Sequence, residues 1–102
     1  MMRFEWDDAK ARTNRRKHGV GFEIARNVFG DPDALVEQDR IEDGELRWQT
    51  IGMVDGLLLL LVAHTVEVDD DDPDETIRII SARRANRRER SRYEKERQKN
   101  WP

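Results

Sequence analysis

The sequence predicts an α+β domain: a short N-terminal strand and a two-helix hairpin set on a four-stranded, mainly antiparallel sheet, closed by a C-terminal helix. Three observations predict it. Residues 8–29 carry helix punctuation and apolar residues at helical spacing. Residues 34–83 change to strand-like runs separated by turn residues, and residues 86–99 return to a helix-forming but very polar pattern. At 102 residues the chain has material for one domain and no second core, so residues 1–102 are read as a single two-layer unit.

Taken in order, Arg3–Trp6 alternates polar and apolar residues and reads as the first strand. Asp7 and Asp8 supply an N-cap and an acidic first turn for a helix over Asp8–His18. Gly19 suits the left-handed position that ends it, and Arg12, Arg15, Arg16 and Lys17 complement its C-terminal dipole. Phe22, Ala25, Val28 and Phe29 share one helical face, and Gly30-Asp31-Pro32 stops that second helix. Strands follow at Ala34–Gln38, Leu46–Val54, Leu57–Val66 and Thr76–Arg83. Asp55-Gly56 between the second and third of these is a strong hairpin signal. The run LLLLLVA over 57–63 is apolar on both faces and belongs in the centre of the sheet. The acidic stretch Val68–Glu75, with Pro73, reads as a solvated loop. Asn86 with Glu89 three residues on forms a capping box for the last helix, whose large apolar anchor is Tyr93. Trp6 and Trp48 read as core rather than as base-stacking platforms.

Composition narrows the chemistry. There is no cysteine, so disulfide scaffolds, thiol nucleophiles and thiolate metal sites are excluded, and two histidines make a His-rich metal site a poor fit. No metal and no other cofactor is expected. The longest apolar run is far short of a membrane span, and the N-terminal stretch lacks the apolar core of a secretion signal, so a cytoplasmic protein with no membrane partner is expected. The formal charge of −3 conceals segregation: residues 1–18 carry +3, residues 19–76 carry −13 and residues 77–102 carry +7. Basic ends and an acidic waist can face different partners.

Arg83, Arg84, Arg87 and Arg88 crowd the entrance of the final helix. Cations are unfavourable beside the positive end of a helix unless an anion joins them, so the cluster suits a phosphate; the alternative is a solvated basic face balanced by the acidic waist. His64 closes the central apolar run and is the side chain best placed in sequence for proton exchange near neutral pH. His18 reads as a helix-end residue. Glu45 and Arg47, two apart on a strand, share a sheet face and either pair with each other or orient an anionic substrate.

These residues resemble a known family. Phe4-Glu5-Trp6-Asp7 with Lys10, Asn14, Lys17-His18-Gly19-Val20, Phe22-Glu23 and Ala25 looks like the opening signature of the BrnT toxins. Glu45-x-Arg47 with Thr50-Ile51-Gly52 is similar to that family's middle motif. Arg78-Ile79-Ile80-Ser81-Ala82-Arg83-Arg84-Ala85 with Glu89 and Tyr93 resembles its closing one. The resemblance implies a RelE-like fold and the toxin of a type II toxin–antitoxin module, an RNase that arrests growth by cutting RNA. It also implies neutralisation by a BrnA-like antitoxin, with operator DNA bound only through the toxin–antitoxin complex. On that reading cleavage uses the RNA's own 2′-OH without a metal. Arg83 and Arg84 are expected to clamp the phosphate with Arg47 as a third cation, and His64 to exchange the proton with Glu89 in support. Lys17, His18, Arg78, Arg87 and Arg88 are expected along the RNA. The alternative function is a non-catalytic protein that binds the antitoxin and acts as its co-repressor.

Overall fold

The computed structural model describes residues 2–99; Trp101, the other large apolar residue near the C-terminus, lies outside them. The elements are β1 (Arg3–Glu5), α1 (Asp8–His18), α2 (Phe22–Ala25) continued by a 3-10 helix (Arg26–Gly30), β2 (Leu35–Glu42), β3 (Glu45–Val54), β4 (Leu58–Asp69), β5 (Asp72–Arg84) and α3 (Arg87–Lys99). The sheet order is β1-β5-β4-β3-β2. The expected four antiparallel strands are present, but β1 adds a fifth, parallel to β5, which makes the sheet mixed.

The end signals of α1 act as the sequence indicates. Asp7 accepts the Lys10 N–H at 3.0 Å, and Gly19, at φ 72°, donates its N–H to the Arg15 carbonyl. The helix lies against the edge of β5 beyond the end of β1. There the buried Asn14 side chain takes the place of a neighbouring strand: its amide donates to Ala82 O at 2.9 Å and Val20 O at 3.1 Å, and its carbonyl accepts the Ala82 N–H at 3.1 Å. An edge left unpaired in a buried setting would cost the desolvation of both backbone groups.

The acidic stretch differs from expectation. It is not a loop: β4 runs to Asp69 and β5 starts at Asp72, with the turn confined to Asp70 and Asp71. Val68 still pairs with Glu75, so the ladder carries the aspartates outward as a ribbon. Likewise β2 continues to Glu42, and Asp43 and Gly44, both at positive φ, form a second tight hairpin turn.

The fold has three layers rather than two. One sheet face packs α1, α2 and the 3-10 helix through Phe22, Ala25, Val28, Leu60, Val62, Ile77 and Ile79, with Trp6 edge-on to Phe22. The other packs α3 through Ile51, Leu59, Leu61 and Tyr93. The run 58–63 serves both because successive strand residues face opposite ways. The 3-10 helix crosses the sheet at Gly52, where a Cβ would lie 2.8 Å from Val28 Cβ and 2.9 Å from the Val28 carbonyl oxygen. A backbone oxygen cannot swing aside, so Gly52→Ala is expected to cost about 1–3 kcal/mol, as overpacking does, read by urea denaturation. An unchanged midpoint would show that the contact yields freely.

Candidate functional site

α3 opens on a local cap and is anchored to the rest of the fold at its middle. Its first turn is a reciprocal capping box: the Glu89 N–H donates to Asn86 Oδ1 at 2.8 Å, and the Asn86 N–H to Glu89 Oε1 at 2.9 Å. Its middle is pinned by Tyr93, whose hydroxyl donates to Asp31 Oδ2 at 2.6 Å, an oxygen that also accepts the Met53 N–H at 2.8 Å. Burial would raise the Asp31 carboxyl, but these hydrogen bonds outweigh it and hold the group below the usual carboxylate range.

The rest of this sheet face is polar and open. Gln49, Ala63 and Ser81 form a half-buried floor, with Arg47, Arg78, Arg83 and Glu45 around it. A β-bulge assembles the set. Ala63 pairs with Ser81 but His64 pairs with Ile79, so Ile80 is an extra residue. Strict alternation would put Arg78 and Arg83, five apart, on opposite faces; the bulge puts them on the same one. A second shift between Gln38 and Arg40 sets Arg40 beside Arg47.

Arg83 makes a two-pronged pair with Glu89, at 2.8 and 2.9 Å. The Arg83 hydrogen bond dominates in holding the Glu89 carboxyl low, and the same bond raises the Arg83 guanidinium. Arg78 reaches both Glu45 oxygens, at 2.7 and 2.8 Å, but through one nitrogen, Nη2. Its Nη1 and Nε have no partner among the described residues. Arg47 is less engaged still. Its nearest carboxylate, Glu42, is 3.9 Å away, and its Nε is buried without a hydrogen bond, as is the hydroxyl of Thr65. Thr65 is the strand partner of Arg78 and, one residue along from the Trp48–His64 pair, the neighbour of Arg47. Like charges side by side across strands are destabilising, so arginines with spare donors here form a ready anion site.

The predicted residues do not all meet. His64 is buried, at 1% exposure, on the opposite face: its ring packs edge-on against Phe29 at 4.9 Å and its Nε2 lies 2.8 Å from Thr50 Oγ1. Burial lowers its pKa, so the neutral ring is favoured. It is a core residue, so the proton exchange expected of it cannot take place on the polar face. Arg84, paired in register with Leu60, also faces the helical side, so Arg83 and Arg84 cannot grip one phosphate from one face. Arg87 and Arg88 are exposed at the start of α3, with no ion-pair partner among the described residues. Lys17 and His18 line a shallow cleft with Ile80 and Ser81, across the β5 edge from the polar floor. Glu45, not among the residues expected to carry the chemistry, joins this face through Arg78. Its signal was the Glu-x-Arg spacing, which puts both side chains on one face.

A family model for "Ribonuclease toxin, BrnT, of type II toxin-antitoxin system" matches residues 6–89. The chain belongs to the BrnT toxin family. Among solved structures it is similar to the crystal structure of the Brucella abortus ribonuclease toxin BrnT. The TM-score is 0.63 and the identity 26%, over 85% of this chain and 100% of that one. No curated protein sequence matches it. Family membership makes this BrnT-family chain a type II toxin, with RNA as the substrate class and an antitoxin as partner. The matched span includes every element from α1 to β5 and ends on Glu89, which closes the capping box and the Arg83 pair. No helix among the described residues is long and apolar enough to cross a membrane.

Proposed function

We propose that the chain is a metal-independent endoribonuclease whose active face is the polar half of the sheet beside α3. The observation that carries this is the pair Arg47 and Arg78, which share one face with donors that no carboxylate uses. A phosphodiester lying there accepts from both. Glu45, next to Arg78, takes the proton of the RNA 2′-OH. The 2′-oxygen then bonds to phosphorus and the P–O5′ bond breaks, leaving a 2′,3′-cyclic phosphate and a 5′-oxygen that takes a proton from water. Arg83 braces α3 against the sheet, with Glu89 as its counter-ion, and so shapes the site without clamping the phosphate. Arg87, Arg88, Lys17 and His18 extend the basic surface along the strand at low cost in specificity, since backbone contacts carry no sequence information. The toxin acts in the cytoplasm and is neutralised by a BrnA-like antitoxin, and it reaches operator DNA only within that complex.

A second reading, a non-catalytic antitoxin-binding co-repressor, is favoured by the internal pairs Arg83–Glu89 and Arg78–Glu45, which spend part of the positive charge that RNA needs. Purified protein incubated with single-stranded RNA in excess chelator separates the two. The nuclease reading expects cleavage with 2′,3′-cyclic phosphate and 5′-hydroxyl ends. Intact RNA, or cleavage that requires a divalent ion, overturns it.

A further inference from the structure

The two hairpin tips β2–β3 and β4–β5 lie at the same end of the sheet, away from the start of α3. Residues 39–43 and 67–75 place ten carboxylates there against one arginine, Arg40. From β1, Arg3 adds an ion pair to Asp72 and approaches Asp74 at 3.6 Å. On the helical face of this pole the sheet is bare. Ile41 and Leu46 are strand partners, 72% and 37% exposed, and Val68, two residues beyond Val66 on the same face, is 66% exposed. Apolar groups exposed together and rimmed by charge mark an interaction surface.

We infer that this acidic pole is a docking surface for the antitoxin, and that it takes a basic, amphipathic polypeptide segment: apolar side chains on Ile41, Leu46 and Val68, and Lys or Arg toward the surrounding carboxylates. Charge complementarity chooses the occupant. On this face RNA meets carboxylates without Arg47 and Arg78, which lie on the other one. A second copy meeting the pole with its own pole sets carboxylates against carboxylates. A cationic segment gains on both counts, with a fast, salt-sensitive approach. The surface lies on the opposite face from Arg47 and Arg78, so the antitoxin is held here without needing to cover the site. The inference rests on the chain's being a type II toxin and not on its cleaving RNA.

The test is calorimetric titration with the purified cognate antitoxin, using wild type, Ile41→Glu, Val68→Glu and, on the opposite pole, Arg87→Ala/Arg88→Ala. Ile41 and Val68 are exposed, so these changes spare the core. Each Glu variant is expected to weaken binding about 30-fold, a hot-spot loss, while the double Arg variant binds like wild type and wild-type affinity falls with added salt. Unchanged affinity in both Glu variants overturns the inference, as does loss confined to the double Arg variant. Self-association of the toxin alone that Ile41→Glu abolishes also overturns it, by assigning the surface to a second copy. RNA cleavage by the two Glu variants, assayed in parallel, reports on the nuclease reading separately.

Discussion

Arg47→Ala is expected to slow RNA cleavage by about 10²–10³-fold, the loss found when one preorganised donor to a developing oxyanion is removed. The reason lies in what surrounds the side chain. It is largely buried, at 17% exposure, yet its nearest carboxylate is 3.9 Å away and its Nε is unsatisfied. A buried cation with idle donors stabilises the free protein little, so its removal falls mainly on the transition state. The melting temperature should therefore move far less than the rate. Arg47→Lys keeps the charge but loses the fork, and is expected to recover only part of the activity. Arg84→Ala, on the other face, is expected to leave cleavage close to wild type. Arg83→Ala behaves differently again: it strands the largely buried Glu89 carboxylate and lowers stability and activity together. Single-turnover rates set beside denaturation midpoints separate the three patterns. Full activity in Arg47→Ala, or a loss in Arg84→Ala as large as in Arg47→Ala, removes the proposed phosphate site.

That contrast shows where sequence reading succeeds here and where it stops. Local signals were legible: Asp7 as N-cap, Gly19 at positive φ, the Asp55-Gly56 turn and the Asn86–Glu89 box all depend on residues within four positions of each other. The parity of a strand was legible too, and it already argued against a clamp of two neighbouring arginines, Arg83 and Arg84. His64 looked reactive because it ended an apolar run. Parity set it on the helical face with Leu60 and Val62, but Phe29 and Thr50, which settle its role, come from distant parts of the chain. The bulge at Ile80 has no signature in the residues around it. It is a mismatch between two strands, and it alone brings Arg78 to the side of Arg83. The acidic ribbon was misread because charge density suggests solvation, and a hairpin tip can be both solvated and paired.

Tyr93→Ala is expected to cost about 3–5 kcal/mol, in the range for truncating a buried aromatic residue, and to release α3 from the sheet. Apart from Tyr93 and the half-buried Ala85 just before it, little on the helical segment meets the apolar cluster of Ile51, Leu59 and Leu61. The other ties of α3 are partly exposed pairs such as Arg92 with Glu37 and Arg97 with Asp33, worth little singly. A helix this polar is marginal in water without its anchor. Its release would also undo the Arg83–Glu89 brace, so cleavage should fall with it. Tyr93→Phe keeps the ring and removes only the hydrogen bond to Asp31, at an expected cost of about 1 kcal/mol. The acid limb of stability distinguishes the two contributions. Because the Asp31 carboxyl is held below its ordinary value, its stabilising effect is complete above the unfolded pKa, near 4, and is lost as pH falls through the lower folded value. Urea midpoints between pH 7 and 3 should therefore drop less steeply in Tyr93→Phe than in wild type. Equal acid limbs would show that Tyr93 holds α3 by packing alone.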